Sequence, residues 1–176
     1  MNITVYLGAN EGCDPAVSEA ARSFGTWIGE SGNALVYGGS KTGLMGELAH
    51  AALMAGADVT GVEPQFFIDA EAQLNELTNL VVTSDMPERK TKMIELGDAF
   101  VAFPGGTGTL EEISEVMSKV GLGQLEAPCI LLNLNGYYDP LEEQLARMIT
   151  CGFSTRERQE HIHVAHSVAE LVALLA

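Results

Sequence analysis

The chain has 176 residues, of which 47% are hydrophobic, and its 24 acidic and nine basic residues give a formal net charge of −15. This length suits one domain with a substantial core, and no apolar run approaches the roughly 20 residues that a membrane-spanning helix needs. The acidic balance argues against broad contact with nucleic acid or an anionic membrane, because both require clustered Lys and Arg. We expect a single cytoplasmic domain over residues 1–176.

Short apolar runs alternate with amphipathic helical patterns along the whole chain. The runs predict strands at residues 3–7, 34–37, 58–62, 80–83, 99–103, 129–133 and, more weakly, 162–165. Helical patterns fall at residues 14–31, 43–55, 86–97, 109–120 and 139–150, with a last one from residue 167. Because the runs are continuously apolar, we expect strands that are covered on both faces. The sequence therefore predicts a doubly wound, Rossmann-like α/β domain, with a parallel sheet of about six or seven strands and helices on both faces.

Glycine-bearing turns follow three of the predicted strands, at residues 8–12, 38–46 and 104–109. In an open parallel sheet, ligands bind outside the carboxyl ends of the strands, near the point where strand order reverses. The third turn reads PGGTGT and leads from a buried strand into a helix, so it would present backbone N–H groups to an anion. A glycine turn is also an ordinary connection, and neither GxGxxG nor the P-loop is matched. Two long glycine turns at one edge favour a bound phosphate.

Glu112 has two interpretations. Residues 109–112 have the Thr-x-x-Glu spacing of a capping box, in which Glu112 would merely bond back to the Thr109 backbone N–H. Alternatively, this carboxylate faces the sugar of a bound nucleotide. A carboxylate one turn from a phosphate then needs a cation nearby to offset the repulsion.

Arg89 and Lys90 could supply that cation. Arg89 lies in the first turn of a predicted helix, where a positive side chain opposes the helix dipole, so helix stability does not explain it. The alternative is a solvated charged face. Metal ligation is not expected, because neither the histidine cluster at residues 161–166 nor the three cysteines have a ligand spacing.

Two motifs resemble those of the Lonely-guy (LOG) family of cytokinin-activating phosphoribohydrolases, a group often mislabelled as lysine decarboxylases. They are MPERKTKM at residues 86–93, followed by GDAF at 97–100, and PGGTGTLEE at 104–112. Residues 37–46 and 132–139 extend the resemblance over nearly the whole chain. It implies hydrolysis of the N-glycosidic bond of purine ribonucleoside 5′-monophosphates, with plain or N6-modified adenine, to free base and ribose 5-phosphate. It also implies a homodimer that uses no metal and no cofactor.

The same resemblance implies roles for particular residues. Arg89 and Glu112 would be the catalytic pair, and residues 106–109 would surround the phosphate. The nucleotide site would comprise Gly39, Gly43, Glu71, Lys90, Gly105, Gly106, Thr107, Gly108, Thr109, Leu110, Glu111 and Ser118.

The chain departs from the family pattern at Ser40, Glu63, Lys119 and Gly121. These departures leave the proposed catalytic pair intact, and they leave open whether a prenylated adenine or plain AMP is preferred. A non-catalytic nucleotide-binding or cofactor-carrying protein of the same fold is the alternative, but a carrier has no need of an Arg–Glu pair. We do not expect a pyridoxal-dependent decarboxylase, because the chain has only four lysines and a size and pattern unlike such enzymes.

Overall fold

In the computed structural model, which describes residues 1–70 and 72–176, seven parallel strands form one sheet. The strands are β1 Asn2–Tyr6, β2 Ala34–Tyr37, β3 Val59–Pro64, β4 Asn79–Thr83, β5 Ala99–Ala102, β6 Cys129–Leu132 and β7 Ile162–Ala165. Their order is β4-β3-β2-β1-β5-β6-β7. The chain therefore runs outward from β1 to one edge and then returns to place β5 on the other side of β1. Strand order reverses between these two central strands.

Helices cover both faces of this sheet. They are α1 Pro15–Glu30, α2 Gly43–Met54, α3 Gln65–Asp69, α4 Met86–Leu96, α5 Thr107–Gly121, α6 Asp139–Thr150 and α7 Val168–Leu175. The core on one face is formed with α1, α2 and α7, and the core on the other with α4 and α5. The predicted doubly wound α/β fold is thus confirmed. Within the described ranges, none of the helices has both the length and the apolar character that a membrane crossing requires.

The two cores follow from the alternation of side chains along each strand. In β1, Ile3 and Val5 pack into the first core beside Phe24 of α1, whereas Tyr6 packs into the second. Thr4 also faces the second side and is fully buried, but its hydroxyl donates to the Met93 carbonyl at 3.0 Å. A buried polar group that is hydrogen-bonded in this way does not weaken the core.

The boundaries differ from the predicted ones in two places that matter for function. The short helix α3 was not predicted, because five residues are too few to show a helical period. Helix α5 begins at Thr107 rather than near residue 109, because its N-cap is Gly106, which has no side chain to mark the start. Both differences lie at the carboxyl edge of the sheet.

Candidate functional site

The three glycine turns meet at the carboxyl ends of the central strands, as the sequence predicts. A Cβ placed on Gly8 would lie 3.5 Å from the Gly105 Cα, so the turns after β1 and β5 are in direct contact. A Cβ on Gly43 would collide with the Ala9 carbonyl, and one on Gly38 with the Arg89 guanidinium. Glycine is required here because backbone or a charged group fills the space of a side chain.

A cavity of about 560 Å³ opens between these turns. Residues 8–14 form one wall, residues 104–109 form another, and Arg89 and Glu112 lie at its base. A third wall is apolar and comprises Leu44, Met45, Phe67, Met86 and Met93. The cavity therefore combines a polar, glycine-rich end with an apolar end, a common pattern for small-molecule sites.

The glycine turn at residues 104–109 leads directly into α5. The first hydrogen bond within α5 joins the Leu110 N–H to the Gly106 carbonyl at 3.1 Å. No side chain among the described residues caps this helix. The N–H groups of Thr107, Gly108 and Thr109 precede that bond and have no partner within the helix, so they are available to an anion. The capping-box interpretation of Glu112 is wrong, because Thr109 lies inside the helix.

Glu112 instead pairs with Arg89. Nη1 of Arg89 donates to Oε1 of Glu112 at 2.8 Å, and the two side chains are 8% and 10% exposed. Two further donors of the guanidinium bind backbone: Nε donates to the Val62 carbonyl at 2.8 Å and Nη2 to the Gly38 carbonyl at 3.2 Å. Arg89 is thus held at three points, and the alternative of a solvated charged face is wrong for this residue.

The position of Arg89 follows from the start of α4. The Asp85 side chain caps this helix by accepting from the Glu88 N–H at 2.9 Å, and Pro87 occupies its first turn. This start fixes the helix register and turns Arg89 inward, towards the ends of β2 and β3.

Burial raises the pKa of the Glu112 carboxyl above its usual range, while the positive charge of Arg89 opposes that rise. Glu112 is therefore a more basic carboxylate than an exposed one.

A second buried carboxyl lies close by, at Glu63 near the end of β3. Its side chain packs against Gly39, which has a φ of 85°. A Cβ on Gly39 would collide with the Glu63 side chain. Its Oε2 has no hydrogen-bond partner among the described residues. Burial raises the pKa of Glu63 to about 6, and the charge of Arg89 again opposes the rise. The departure from an apolar residue at this position thus introduces a weakly acidic group.

The remaining candidate residues are placed as follows. Six of them line the cavity: Gly105, Gly106, Thr107, Gly108, Thr109 and Glu111. Lys90 forms ion pairs with Glu111 at 2.8 Å and Glu115 at 3.3 Å, beside the cavity rather than in its wall. The others lie outside the lining: Gly39, Gly43, Leu110 and Ser118. Glu71 lies outside the described residues. The roles of all these residues remain predictions.

Within residues 1–70 and 72–176, no lysine lines the cavity, and Lys92 and Lys119 form ion pairs with Glu95 and Glu115. In the same ranges, no three His, Cys, Asp or Glu side chains converge as a metal site would require.

Among the residues of the cavity wall that were not predicted as site residues is Tyr137. Tyr137 follows β6 and lines the cavity, and its hydroxyl donates to the Gly105 carbonyl. Its neighbour Tyr138 is buried and donates to the Phe103 carbonyl at 2.6 Å. The available signal was the position of residues 136–138, Gly-Tyr-Tyr, a few residues after a strand and hence near the carboxyl edge of the sheet.

The fold and this cavity define a Rossmann-like α/β protein with a glycine loop at an uncapped helix N-terminus and a buried Arg–Glu pair at the strand-order switch point. The family described as "Possible lysine decarboxylase" matches residues 45–175. The chain belongs to this family, that of the LOG-type cytokinin riboside 5'-monophosphate phosphoribohydrolases. One such enzyme, from Rhodococcoides fascians, is 42% identical over 99% of this chain and 88% of its own length. Another, named LOG, from Oryza sativa subsp. japonica, is 38% identical over 98% of this chain and 72% of its own.

Solved structures share the fold at lower identity. The molybdenum cofactor binding protein from Rippkaea orientalis has a TM-score of 0.75 at 22% identity, covering 99% of this chain and 94% of that one. The Moco carrier protein from Chlamydomonas reinhardtii has a TM-score of 0.74 at 22% identity over the same shares. At this identity the likeness concerns the fold alone.

Proposed function

We propose that the protein hydrolyses the N-glycosidic bond of adenine ribonucleoside 5′-monophosphates, plain or N6-modified, to free base and ribose 5-phosphate. The main support is the buried Arg89–Glu112 pair beside an uncapped helix N-terminus, in a chain 42% identical to an enzyme named for phosphoribohydrolysis. No metal or cofactor has a part in the proposed reaction.

The 5′-phosphate binds at residues 106–109. The free N–H groups there donate to phosphate oxygens, and the positive end of the α5 dipole favours the negative charge. This local attraction matters because the chain as a whole carries a net charge of −15, which repels an anionic ligand. Phosphate binding places the ribose so that its C1′ lies next to Glu112.

Glu112 acts on the reacting carbon. As the bond from C1′ to the purine nitrogen breaks, its electron pair leaves with the base and positive charge develops at C1′ and the ring oxygen. The carboxylate stabilises this charge and orients a water for attack on C1′. It accepts the proton that the water loses when the new C–O bond forms, while the departing base takes up a proton from solvent. The raised pKa of Glu112 suits a general base.

Arg89 holds Glu112 in place for this step. A guanidinium fixed by the Val62 and Gly38 carbonyls cannot rotate freely, so it keeps Oε1 of Glu112 occupied. The other carboxylate oxygen is thereby left for the water and the ribose. The positive charge of Arg89 also keeps Glu112 ionised despite its burial.

The base occupies the apolar end of the cavity, against Met45, Phe67 and Met86. Flexible methionine side chains adapt to ligands of different shape, which fits either plain adenine or an N6-substituted one. The preference between the two is decided by experiment.

The test is to incubate the protein with AMP and with isopentenyl-AMP and to follow base release by chromatography. Wild type is expected to release base, and Glu112→Gln and Arg89→Ala are expected not to. Glu95→Gln is the matched control, since Glu95 is an exposed residue of α4 that pairs with Lys92. Absence of base release from both substrates, or equal release by all variants, would refute the function. Fast cleavage of AMP with slow cleavage of isopentenyl-AMP would limit the enzyme to plain nucleotides.

A homodimer is part of this proposal. Its support within the chain is a group of exposed apolar side chains on the edge strand β4 and the neighbouring α3: Leu80, Val82, Phe66 and Phe67. Exposed apolar residues on adjacent elements are typical of surfaces that associate. Sedimentation velocity would reveal a monomer if this assignment is wrong.

We further propose action in the cytoplasm, which fractionation of the producing cells would test.

A further inference from the structure

The segment after β6 is unusually firmly held for a loop. Asn133 anchors its start: its backbone N–H donates to the Ala165 carbonyl at 2.7 Å, and its side-chain amide donates to Asp139 at 2.7 Å. The amide oxygen of Asn133 also accepts from the Tyr138 N–H at 2.7 Å. Asn135 adopts a φ of 51°, and its amide donates to Asp14, the N-cap of α1, at 2.8 Å. The segment is thus tied to α1 on one side and to β7 on the other.

Two adjacent tyrosines project from this segment towards the glycine loop. The Tyr138 hydroxyl donates to the carbonyl of Phe103, the residue just after β5, and its ring packs edge-on against that of Tyr137, with centroids 5.0 Å apart. Tyr137 extends two residues further along the loop, where its hydroxyl donates to the Gly105 carbonyl. Tyr137 as a whole is 51% exposed and lines the cavity.

The orientation of the Gly105 carbonyl matters for the binding of an anion at the glycine loop. A carbonyl oxygen that turned towards a bound phosphate would repel it, because both carry negative charge. Gly105 is also tightly enclosed, since a Cβ there would collide with the Thr109 side chain and lie 3.0 Å from the Gly8 nitrogen. The Tyr137 hydroxyl satisfies this carbonyl and fixes the orientation of the Gly105–Gly106 peptide plane.

We propose that Tyr137 is a positioning residue for anion binding: its hydroxyl holds the Gly105 carbonyl away from the anion, so that the next N–H groups point towards it. The inference rests on the proposed function in taking the anion to be the 5′-phosphate of a nucleotide. Tyr137 acts through the loop and not on the reacting bond. Its removal therefore weakens binding of the phosphate group without changing the chemical step.

The experiment measures affinity by titration calorimetry for inorganic phosphate, for AMP and for adenosine, which lacks the phosphate. The AMP titrations use proteins that also carry Glu112→Gln, so that AMP is not hydrolysed during the measurement. Tyr137→Phe removes only the hydroxyl. The dissociation constants for phosphate and AMP are expected to rise about three- to tenfold, the range of one hydrogen bond, and that for adenosine to stay unchanged. In kinetics, KM for AMP rises by the same factor and kcat stays within about twofold, as loss of uniform binding predicts.

Tyr138→Phe is the matched comparison, because it removes a buried hydroxyl that also binds a backbone carbonyl. It is expected to lower the urea midpoint of unfolding and to leave the AMP-to-adenosine affinity ratio as in wild type. An equal loss of affinity for AMP and adenosine in Tyr137→Phe, or no loss for either, overturns the inference, as does a wild type that binds no phosphate. A wild type that binds AMP but releases no base refutes only the proposed hydrolysis.

Discussion

Arg89 and Glu112, which are 23 positions apart in the chain, form a buried ion pair with an Nη1–Oε1 distance of 2.8 Å. The helix that carries Arg89 and the helix that carries Glu112 lie on the same face of the sheet, on either side of β5 in the chain. The pair therefore joins the two halves of the doubly wound fold beneath the cavity. Its burial has consequences for activity and for stability.

Base release is expected to decline in acid at a pH above the ordinary glutamate value of 4.5, because burial raises the pKa of Glu112 and the proposed reaction needs its ionised form. Activity is present above this raised pKa and is lost as pH falls through it. The measurement is kcat/KM for AMP across the acidic and neutral range. Glu63→Gln serves as a control that removes the second buried carboxyl. An acid limb at or below the ordinary value, or one that disappears in Glu63→Gln, would contradict the assignment to Glu112.

Breaking the ion pair from one side is expected to destabilise the fold strongly. Arg89→Met leaves the Glu112 carboxylate buried without its partner and should lower the free energy of unfolding by about 3–5 kcal/mol. The double variant Arg89→Met/Glu112→Leu should lower it by less than the sum of the two single changes, since no unpaired charge remains. Urea unfolding of the four proteins measures this coupling. Additive effects would mean that the two charges do not interact.

Glu63 should make stability depend on pH. Its pKa is raised from 4.5 to about 6 in the folded protein, so the folded state binds this proton more tightly than the unfolded chain does. The resulting stabilisation is complete below the unfolded value and is lost as pH rises through about 6, by roughly 2 kcal/mol in all. Glu63→Gln cannot ionise, so its stability relative to wild type should improve by that amount between acid and neutral pH.

Urea unfolding at a series of pH values tests this expectation. Glu143→Gln, at an exposed position of α6, controls for the loss of one negative charge. A constant difference between Glu63→Gln and wild type over the whole series would argue against a buried, titrating carboxyl.

Two glycines of the loop at residues 104–109 should respond in opposite ways to alanine. Gly105→Ala should destabilise the protein, because a Cβ there collides with the Thr109 side chain. Gly108 lies in the first turn of α5 with nothing within 4 Å of a Cβ, so Gly108→Ala should stabilise the fold by about 0.5–1 kcal/mol through helix propensity. The added methyl group would face the cavity and should raise KM for AMP. Thermal unfolding and steady-state kinetics measure both effects, and a loss of stability in Gly108→Ala would show that the loop is more crowded than described.

The sequence sufficed for the framework of the fold because the central strands β1, β2 and β5 are largely apolar runs that each lead into a glycine turn. The short α3 escaped prediction, since it has no helical period, yet it brings Phe67 to the cavity. The start of α5 was misplaced because a glycine N-cap leaves no side-chain signal. That error also made the capping-box interpretation of Glu112 possible.

At the site, the sequence was enough to propose Arg89 and Glu112 as functional residues, but the backbone groups that bind the site side chains could not be predicted. The backbone carbonyls of Val62 and Gly38, which hold Arg89, have no signature in the sequence. They become neighbours only because β2 and β3 end at the same edge of the sheet. Tyr137 is similar: its link to Gly105 spans 32 positions and depends on β5 and β6 being adjacent.

Because Arg89 is held at three points, its side-chain conformational entropy is lost during folding and not during ligand binding. Immobilising a long side chain removes rotamer entropy worth up to about 2 kcal/mol, and an arginine that ordered only on meeting its ligand would weaken binding by that amount. Here the guanidinium is already bound to two carbonyls and a carboxylate, so the loss occurs during folding. A nucleotide thus enters a site that is electrostatically pre-organised, and its affinity is not diminished by a side-chain ordering step at every turnover.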